Sequence, residues 1–154
     1  MIEGSQLLAL LLDAGITHVP WLPDSELGRW EAALARAQKP QLIRVCREGE
    51  AIAIAAGLLL GGAQPLVMLQ CTGLFEAGDA LRNVVHDLQL PLRLFVGVRS
   101  WKASRSGPVT DTCPRFIQPY VDAWQLRSRW LSGTADDFAT ALLEPGPLVL
   151  LWPE

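Results

Sequence analysis

The sequence predicts a single three-layer α/β/α domain built on a six-stranded, mostly parallel sheet. Helical and extended signals alternate along nearly the whole chain, which is typical of strand–helix–strand units in a parallel sheet. Two predicted strands, residues 65–70 and 92–98, are apolar on both faces, as expected when helices cover both sides of a sheet. A chain of 154 residues has the size of one domain, so we assign residues 1–154 to one domain.

Six short segments rich in aliphatic residues carry the strand signal. They are residues 16–19, 41–46, 65–70, 92–98, 125–129 and 148–152. Helical patterns fall at residues 5–12, 27–37, 48–60, 74–88, 115–124 and 135–143. The polar segment 99–107 shows neither the helical nor the strand periodicity of apolar residues. A long segment of this kind is predicted to be a functional or mobile loop.

The composition argues against two classes of protein. The chain is 50% hydrophobic and 19% charged, values typical of a globular domain. Its net charge of −3 offers no basic surface for nucleic acid, and its six tryptophans are scattered as in core and interface packing. The longest apolar stretch, residues 51–63, is too short and too rich in small residues to span a membrane.

The cysteines give no sign of a metal site. Cys46, Cys71 and Cys113 are far apart and form no C-x-x-C pair, which predicts reduced thiols. The first residues lack the positive charges of a signal peptide. We therefore expect a cytoplasmic protein that supplies no metal ligands of its own.

Parallel sheets bind ligands beyond the carboxyl ends of their strands. Four predicted strand ends carry polar residues: Asp24, Arg47, Gln70 and Arg99. None of these ends has the glycine pattern of a dinucleotide site or a P-loop. At the second end, Glu48 and Glu50 open a helix rich in alanine. The helix dipole alone explains acids in a first turn, but the small residues also let a cofactor or another chain approach closely.

Three segments, in this order, resemble the pyrimidine-binding domains of thiamine diphosphate enzymes. They are Pro23-Asp24-Ser25, Arg47-Glu48-Gly49-Glu50-Ala51 leading into Ala55-Ala56-Gly57, and Gln70-Cys71-Thr72-Gly73-Leu74. The resemblance covers residues 16–98 and extends to phosphonopyruvate decarboxylase and the alpha subunit of sulfopyruvate decarboxylase. It implies the thiamine diphosphate-binding fold.

The resemblance implies a catalytic role for Glu48. The equivalent acid in this family hydrogen-bonds the pyrimidine ring of the cofactor and favours its imino tautomer, which removes the thiazolium C2 proton. The chemistry belongs to the cofactor, and the protein supplies the acid and its orientation. Glu50 points to another side of the helix and is predicted to be a solvated or interface acid.

The resemblance also implies a cofactor-binding role for the segment after the third strand. Four residues are expected to contact the pyrimidine: Gln70, Thr72, Gly73 and Leu74. The family pattern there is Gln-Asn-Ser-Gly-Leu-Gly-Asn, and this chain departs from it at Cys71, Thr72, Phe75 and Glu76. The departures concern the substrate more than the cofactor, because Glu76 would repel a phosphonate unless it faces away. Without the resemblance, the segment is a plain strand-to-helix turn.

Three further side chains are candidates for the substrate side of the site. Asp24 falls where related decarboxylases place a catalytic acid, although an aspartate there also caps a helix. Arg99 and Arg105 are candidates for binding an anionic substrate, with a solvated loop as the alternative. His18 and His86 are interpreted as structural or packed side chains.

Thiamine enzymes hold the diphosphate and its Mg²⁺ with a second domain that carries Gly-Asp-Gly and a later asparagine. The 154 residues contain no Gly-Asp-Gly. The resemblance therefore implies that thiamine diphosphate lies between this chain and a separate pyrophosphate-binding, beta-type subunit. A homo- or hetero-oligomer such as α2β2 would suit the symmetry of oligomers.

The expected function is that of the alpha-type subunit of a thiamine diphosphate-dependent decarboxylase, inactive without its partner. Its expected substrate is a 3-substituted pyruvate such as sulfopyruvate or phosphonopyruvate. Two alternatives remain open. One is ligation or transfer of the acyl unit to an acceptor, which differs in pocket shape and not in Glu48. The other is a non-enzymatic α/β module that binds a ligand or a partner, because a fold alone does not fix function.

Overall fold

Six strands form the centre of the fold in the computed structural model, which describes residues 2–154. They are β1 (His18–Trp21), β2 (Gln41–Arg44), β3 (Val67–Gln70), β4 (Arg93–Val98), β5 (Ser128–Trp130) and β6 (Leu148–Pro153). Their order in the sheet is β2-β1-β3-β4-β6-β5, and every neighbouring pair is parallel. The predicted fold class is therefore confirmed.

Helices fill the connections between the strands and cover both faces of the sheet. They are α1 (Gly4–Asp13), α2 (Glu31–Arg36), α3 (Glu48–Leu60), α4 (Cys71–Glu76), α5 (Gly78–Leu81), α6 (Trp101–Ser106), α7 (Cys113–Ala123) and α8 (Ala135–Leu142). Buried side chains of α1, α2 and α8 pack on one face, and those of α3, α4, α5 and α7 pack on the other. A 3-10 turn, Leu27–Trp30, leads into α2.

The two hydrophobic layers differ in composition. The layer under α1, α2 and α8 contains an aromatic cluster centred on Phe95, whose ring centroid lies 5.1 to 5.7 Å from those of Trp30, Phe138 and Trp152. The opposite layer is mainly aliphatic. Because successive side chains of a strand point to opposite faces, β4 supplies Phe95 to one layer and Val96 to the other.

The prediction of a loop over residues 99–107 is wrong, because residues Trp101–Ser106 form α6. None of the residues of α6 is buried, so the segment has no apolar stripe from which a helical period could be read. Tertiary contacts hold it in place. The Trp101 ring stacks on Trp130 at a centroid distance of 3.8 Å, and the Lys102 amide donates to the Glu154 carbonyl at 2.9 Å.

The helix predicted over residues 74–88 is interrupted. The chain forms α4, then α5, and then a π-helical stretch over Arg82–Asp87. At Gly78 the backbone closely approaches α7: a β-carbon there would stand 3.0 Å from the Tyr120 hydroxyl and 3.2 Å from the Trp124 ring. This tight packing fixes the position of α4 and α5 against α7.

Two features are absent from residues 2–154. No helix in that range is both long and apolar enough to cross a membrane. Within the same range, no three or more His, Cys, Asp or Glu side chains are grouped so that they could hold a metal ion.

Candidate functional site

The strand order reverses between β1 and β3, and open parallel sheets bind ligands at such a switch point. Asp24 follows β1, and α4 begins directly after β3 ends at Gln70. Glu48 follows β2 and is the first residue of α3, while Arg99 follows β4. Because all the strands are parallel, these predicted site residues lie along one edge of the sheet.

The Glu48 side chain lies directly against the backbone of Gly73. A β-carbon on residue 73 would overlap Cγ and Oε1 of Glu48 and would stand 2.7 Å from its Cδ. Ordinary carbon contacts are roughly 3.5–4.0 Å, so only glycine leaves room for this arrangement. Glu48 is half-buried. The structure thus brings together two residues that were predicted separately, one on α3 and one on α4.

Glu76 links α4 to the residues on both sides of Glu48, namely the side chain of Arg47 and the backbone of Gly49. Its Oε1 accepts hydrogen bonds from Nη2 and Nε of Arg47 at 2.5 and 3.2 Å, and its Oε2 accepts one from the Gly49 amide at 3.2 Å. The hydrogen bond from Arg47, followed by that from Gly49, lowers the pKa of the Glu76 carboxyl. Glu76 therefore faces the start of α3, three residues after Gly73.

Glu50, His18 and His86 each make a hydrogen-bond contact with another residue of the chain. Glu50 is exposed, and its Oε2 accepts a hydrogen bond from the Cys46 amide at 3.0 Å, which satisfies an amide just before α3. His18 Nδ1 lies 2.8 Å from the hydroxyl of its neighbour in the chain, Thr17. His86 Nε2 lies 2.8 Å from the Trp124 carbonyl.

The segment after β3 is held by its own hydrogen bonds and by α7. The Thr72 hydroxyl donates to Oε1 of Gln70 at 3.2 Å, and the Tyr120 hydroxyl donates to the Leu74 carbonyl at 2.9 Å. Leu74 is fully buried, so its side chain belongs to the core. Thr72 is exposed, and its hydroxyl faces Gln70 at the edge of the sheet.

The two carboxyl oxygens of Asp24 have different surroundings. Its Oδ1 accepts hydrogen bonds from the amides of Glu26 at 2.8 Å and Leu27 at 2.9 Å, as a helix cap does. Its Oδ2 is buried and has no hydrogen-bond partner within residues 2–154. Burial raises the pKa of this carboxyl.

Glu154 is a second half-buried acid at this end of the sheet, and the sequence analysis did not single it out. Its side chain packs against Gly97 of β4, where a β-carbon would stand 2.9 Å from the Glu154 Cδ. Both side-chain oxygens are buried, with no hydrogen-bond partner in the described part of the chain. Burial, assisted by the charges of Asp24 and Glu26, raises the pKa of Glu154 to about 7. The strand-end rule applied to β6 would have found it.

The two candidate arginines lie in different places. Arg99 Nε is 2.7 Å from Oδ2 of Asp111, and the pair lines a cavity of about 620 Å³ beside Thr72. The Arg105 guanidinium lies 5.6 Å from the ring centroid of Trp101 and lines a neighbouring cavity of about 350 Å³. The structure therefore brings Arg99, but not Arg105, to the cavity that Thr72 lines.

The fold is shared with thiamine diphosphate-dependent enzymes. The thiamine diphosphate-dependent 4-hydroxybenzoylformate decarboxylase of Rhodococcus jostii RHA1 superposes with a TM-score of 0.61 at 20% identity, over 97% of this chain and 29% of that one. Benzoylformate decarboxylase from Polynucleobacter necessarius superposes with a TM-score of 0.70 at 18% identity, over 97% of this chain and 29% of that one. The 2-oxoglutarate:ferredoxin oxidoreductase of Magnetococcus marinus gives a TM-score of 0.69 at 14% identity, over 99% of this chain and 29% of that one. These structures share the α/β fold predicted from the sequence.

The curated relatives that the sequence matches are decarboxylases. A phosphonopyruvate decarboxylase of Streptomyces viridochromogenes is 26% identical over 141 residues, which are 92% of this chain and 36% of the relative. A sulfopyruvate decarboxylase subunit alpha of Methanococcus maripaludis is 28% identical over 89 residues, which are 58% of this chain and 53% of the relative. The resemblance drawn from the three segments is thus confirmed.

The chain spans only part of these relatives, about a third and about half of their respective lengths. No protein-family model matches the sequence.

Proposed function

We propose that this chain is the pyrimidine-binding, alpha-type subunit of a thiamine diphosphate-dependent decarboxylase that acts on a 3-substituted pyruvate. The observation that carries the proposal is the contact of Glu48 with Gly73 at the carboxyl edge of the sheet. The named activities of the relatives, phosphonopyruvate and sulfopyruvate decarboxylation, support the reaction and the substrate class.

The residues at this edge fit the pyrimidine ring of the cofactor. The absence of a side chain at Gly73 leaves room for the Glu48 side chain, which offers a half-buried carboxyl group at this edge. Glu48 would hydrogen-bond a ring nitrogen, while the bonds of Glu76 to Arg47 and Gly49 keep the start of α3 in place. Thiamine diphosphate, when bound, supplies the carbon nucleophile that adds to the 2-oxo group and accepts electrons as carbon dioxide leaves.

Asp24 is proposed as a second catalytic acid on this edge. Its Oδ2 is buried without a hydrogen-bond partner in residues 2–154 and is available to a bound group, and burial raises the pKa of the carboxyl, which favours its protonated form. Gln70 and Thr72 are proposed to contact the cofactor from the end of β3, Leu74 only through its backbone, and Arg99 to lie beside the substrate.

The diphosphate and Mg²⁺ are proposed to bind to a separate beta-type subunit, without which this chain is inactive. The name of the methanogen relative, a subunit alpha, supports a multi-subunit enzyme. A hetero-oligomer such as α2β2 would duplicate the site by two-fold symmetry. The free thiols of Cys46, Cys71 and Cys113 suit a reducing compartment, so we place the assembly in the cytoplasm.

The proposal is tested by Glu48→Gln in the complex reconstituted with the beta-type subunit. Glutamine keeps the shape of the side chain but cannot exchange the carboxyl proton. Decarboxylation and the exchange of the cofactor C2 proton, followed by NMR, should both fall by at least about two orders of magnitude. An unchanged C2 exchange rate would show that Glu48 is only a helix-end acid.

Glu50→Gln is the matched control. It changes the charge of the same helical turn by the same amount, so any effect of the helix dipole is shared by the two variants. The glutamine oxygen can still accept the hydrogen bond from Cys46. The Glu50→Gln complex should therefore retain most of its activity.

A further inference from the structure

An apolar cavity lies between α4 and α7 and is lined by Thr72, the neighbour of Gly73 in the chain. Its volume is about 620 Å³, within the range of small-molecule sites. Aromatic side chains form its walls: Phe75, Phe116 and Tyr120. The Phe75 and Tyr120 ring centroids are 5.0 Å apart, so the two rings form one continuous apolar surface.

The cavity is continuous with the proposed cofactor-binding segment. Thr72 lines it and is the neighbour in the chain of Gly73, against which Glu48 lies. Tyr120, on the opposite wall, donates its hydrogen bond to the carbonyl of Leu74 in the same segment. A group bound here would lie next to the proposed reacting centre.

The charged residues that line this cavity neutralise each other. Arg99 Nε lies 2.7 Å from Oδ2 of Asp111, and Oδ1 of Asp111 also accepts the Cys113 amide at 3.0 Å. Burial opposes ionisation of Asp111, but the hydrogen bonds from Cys113 and Arg99 outweigh it and lower the pKa of the carboxyl. A phosphonate or sulfonate entering here would meet a fixed carboxylate and a guanidinium that is already paired.

We infer that this cavity binds an apolar, ring-sized substituent of the 2-oxo acid substrate, in place of the anionic group carried by the named substrates of the relatives. The inference rests on the proposed function, because it assigns the substituent of that substrate. Phe75, Phe116 and Tyr120 contact the substituent, and the Arg99–Asp111 pair selects against a second anionic group.

Binding to the full chain tests the inference without cofactor or partner. Two unreactive probes share a carboxylate and a two-carbon spacer: 3-phenylpropanoate and 3-phosphonopropanoate. Saturation-transfer NMR should give a dissociation constant for the phenyl probe at least about tenfold lower than for the phosphono probe. Equal or tighter binding of the phosphono probe would overturn the inference. So would the absence of phenyl-probe binding at concentrations up to about 10 mM, the weak end of specific affinity.

Three variants connect the binding to this cavity. Thr72→Trp fills it and Phe116→Ala removes a wall, so each should weaken binding of the phenyl probe at least about fivefold. Phe116 is 48% exposed, and its replacement leaves the core intact. Asp111→Asn releases the Arg99 charge and should strengthen binding of the phosphono probe.

An affinity for the phenyl probe that is unchanged in both Thr72→Trp and Phe116→Ala would contradict the assignment. The outcome is separate from that of the proposed function, which stands or falls on C2 proton exchange in Glu48→Gln.

Discussion

Replacing Gly73 with alanine is expected to move the Glu48 side chain without changing its chemistry. The new β-carbon would stand 2.7 Å from Cδ of Glu48, and an ordinary contact needs roughly 3.5–4.0 Å. The carboxyl group must therefore retreat by about 1 Å. A misplacement of that size in a catalytic group lowers the rate by about two orders of magnitude, so Gly73→Ala should resemble Glu48→Gln in C2 proton exchange.

The stability of Gly73→Ala follows from two opposing effects. Alanine gains about 1 kcal/mol over glycine inside a helix, and overlap in a packed region costs about 1–3 kcal/mol. We expect a net loss of about 0–2 kcal/mol, which leaves the protein folded. Chemical denaturation of the isolated chain measures the change in unfolding free energy. C2 proton exchange in the reconstituted complex measures the change in catalytic rate.

Gly57→Ala provides the control for this experiment. Gly57 is exposed in α3, and a β-carbon there meets no atom within 4 Å. This variant should be about 0.5–1 kcal/mol more stable than the unmodified chain and should exchange the C2 proton normally. If Gly73→Ala also exchanged normally, the position of Glu48 over Gly73 would have no catalytic meaning.

Two further predictions concern the core and the pH dependence of stability. Phe95→Ala removes the centre of the aromatic cluster and should lower the unfolding free energy by about 4 kcal/mol. The control, Phe116→Ala at an exposed position, should lower it by less than about 1 kcal/mol. Equal losses in denaturation experiments would show that the cluster does not stabilise the fold. Because folding raises the pKa of Glu154 from 4.5 to about 7, the folded chain binds the extra proton and loses stability as pH rises through that window. Glu154→Gln should remove this loss, about 2 kcal/mol after allowance for solvent. Asp13→Asn, at the last residue of α1, should retain it.

The parts of the fold that the sequence predicted best are those governed by strong local patterns. Strands such as β4 and β6 are continuous apolar runs, and the small-residue helix α3 begins at Glu48 and ends at Leu60 as predicted. The parts that it missed depend on tertiary contacts. Helix α6 has no buried face, and the break after α4 depends on the packing of Gly78 against Tyr120, 42 residues later in the chain.

The same distinction applies to the candidate site. The positions of Glu48 and Gly73 at strand ends follow from the sequence because parallel strands share one carboxyl edge. Their direct contact does not, since it depends on how α3 packs against α4. The pairing of Arg99 with Asp111 across 12 residues also depends on the three-dimensional arrangement, so no local pattern reveals it. The strand-end rule locates Glu154 after β6, but the burial of its carboxyl oxygens depends on packing against Gly97.

The stacked indole rings of Trp101 and Trp130 should contribute to the circular dichroism spectrum of the protein. Their centroids are 3.8 Å apart and their planes differ by 25°, so their electronic transitions are coupled. The circular dichroism of the chain therefore includes a contribution from the contact of α6 with β5. Any binding event that shifts α6, which borders the cavity lined by Arg105, would be visible in the spectrum of the unlabelled chain.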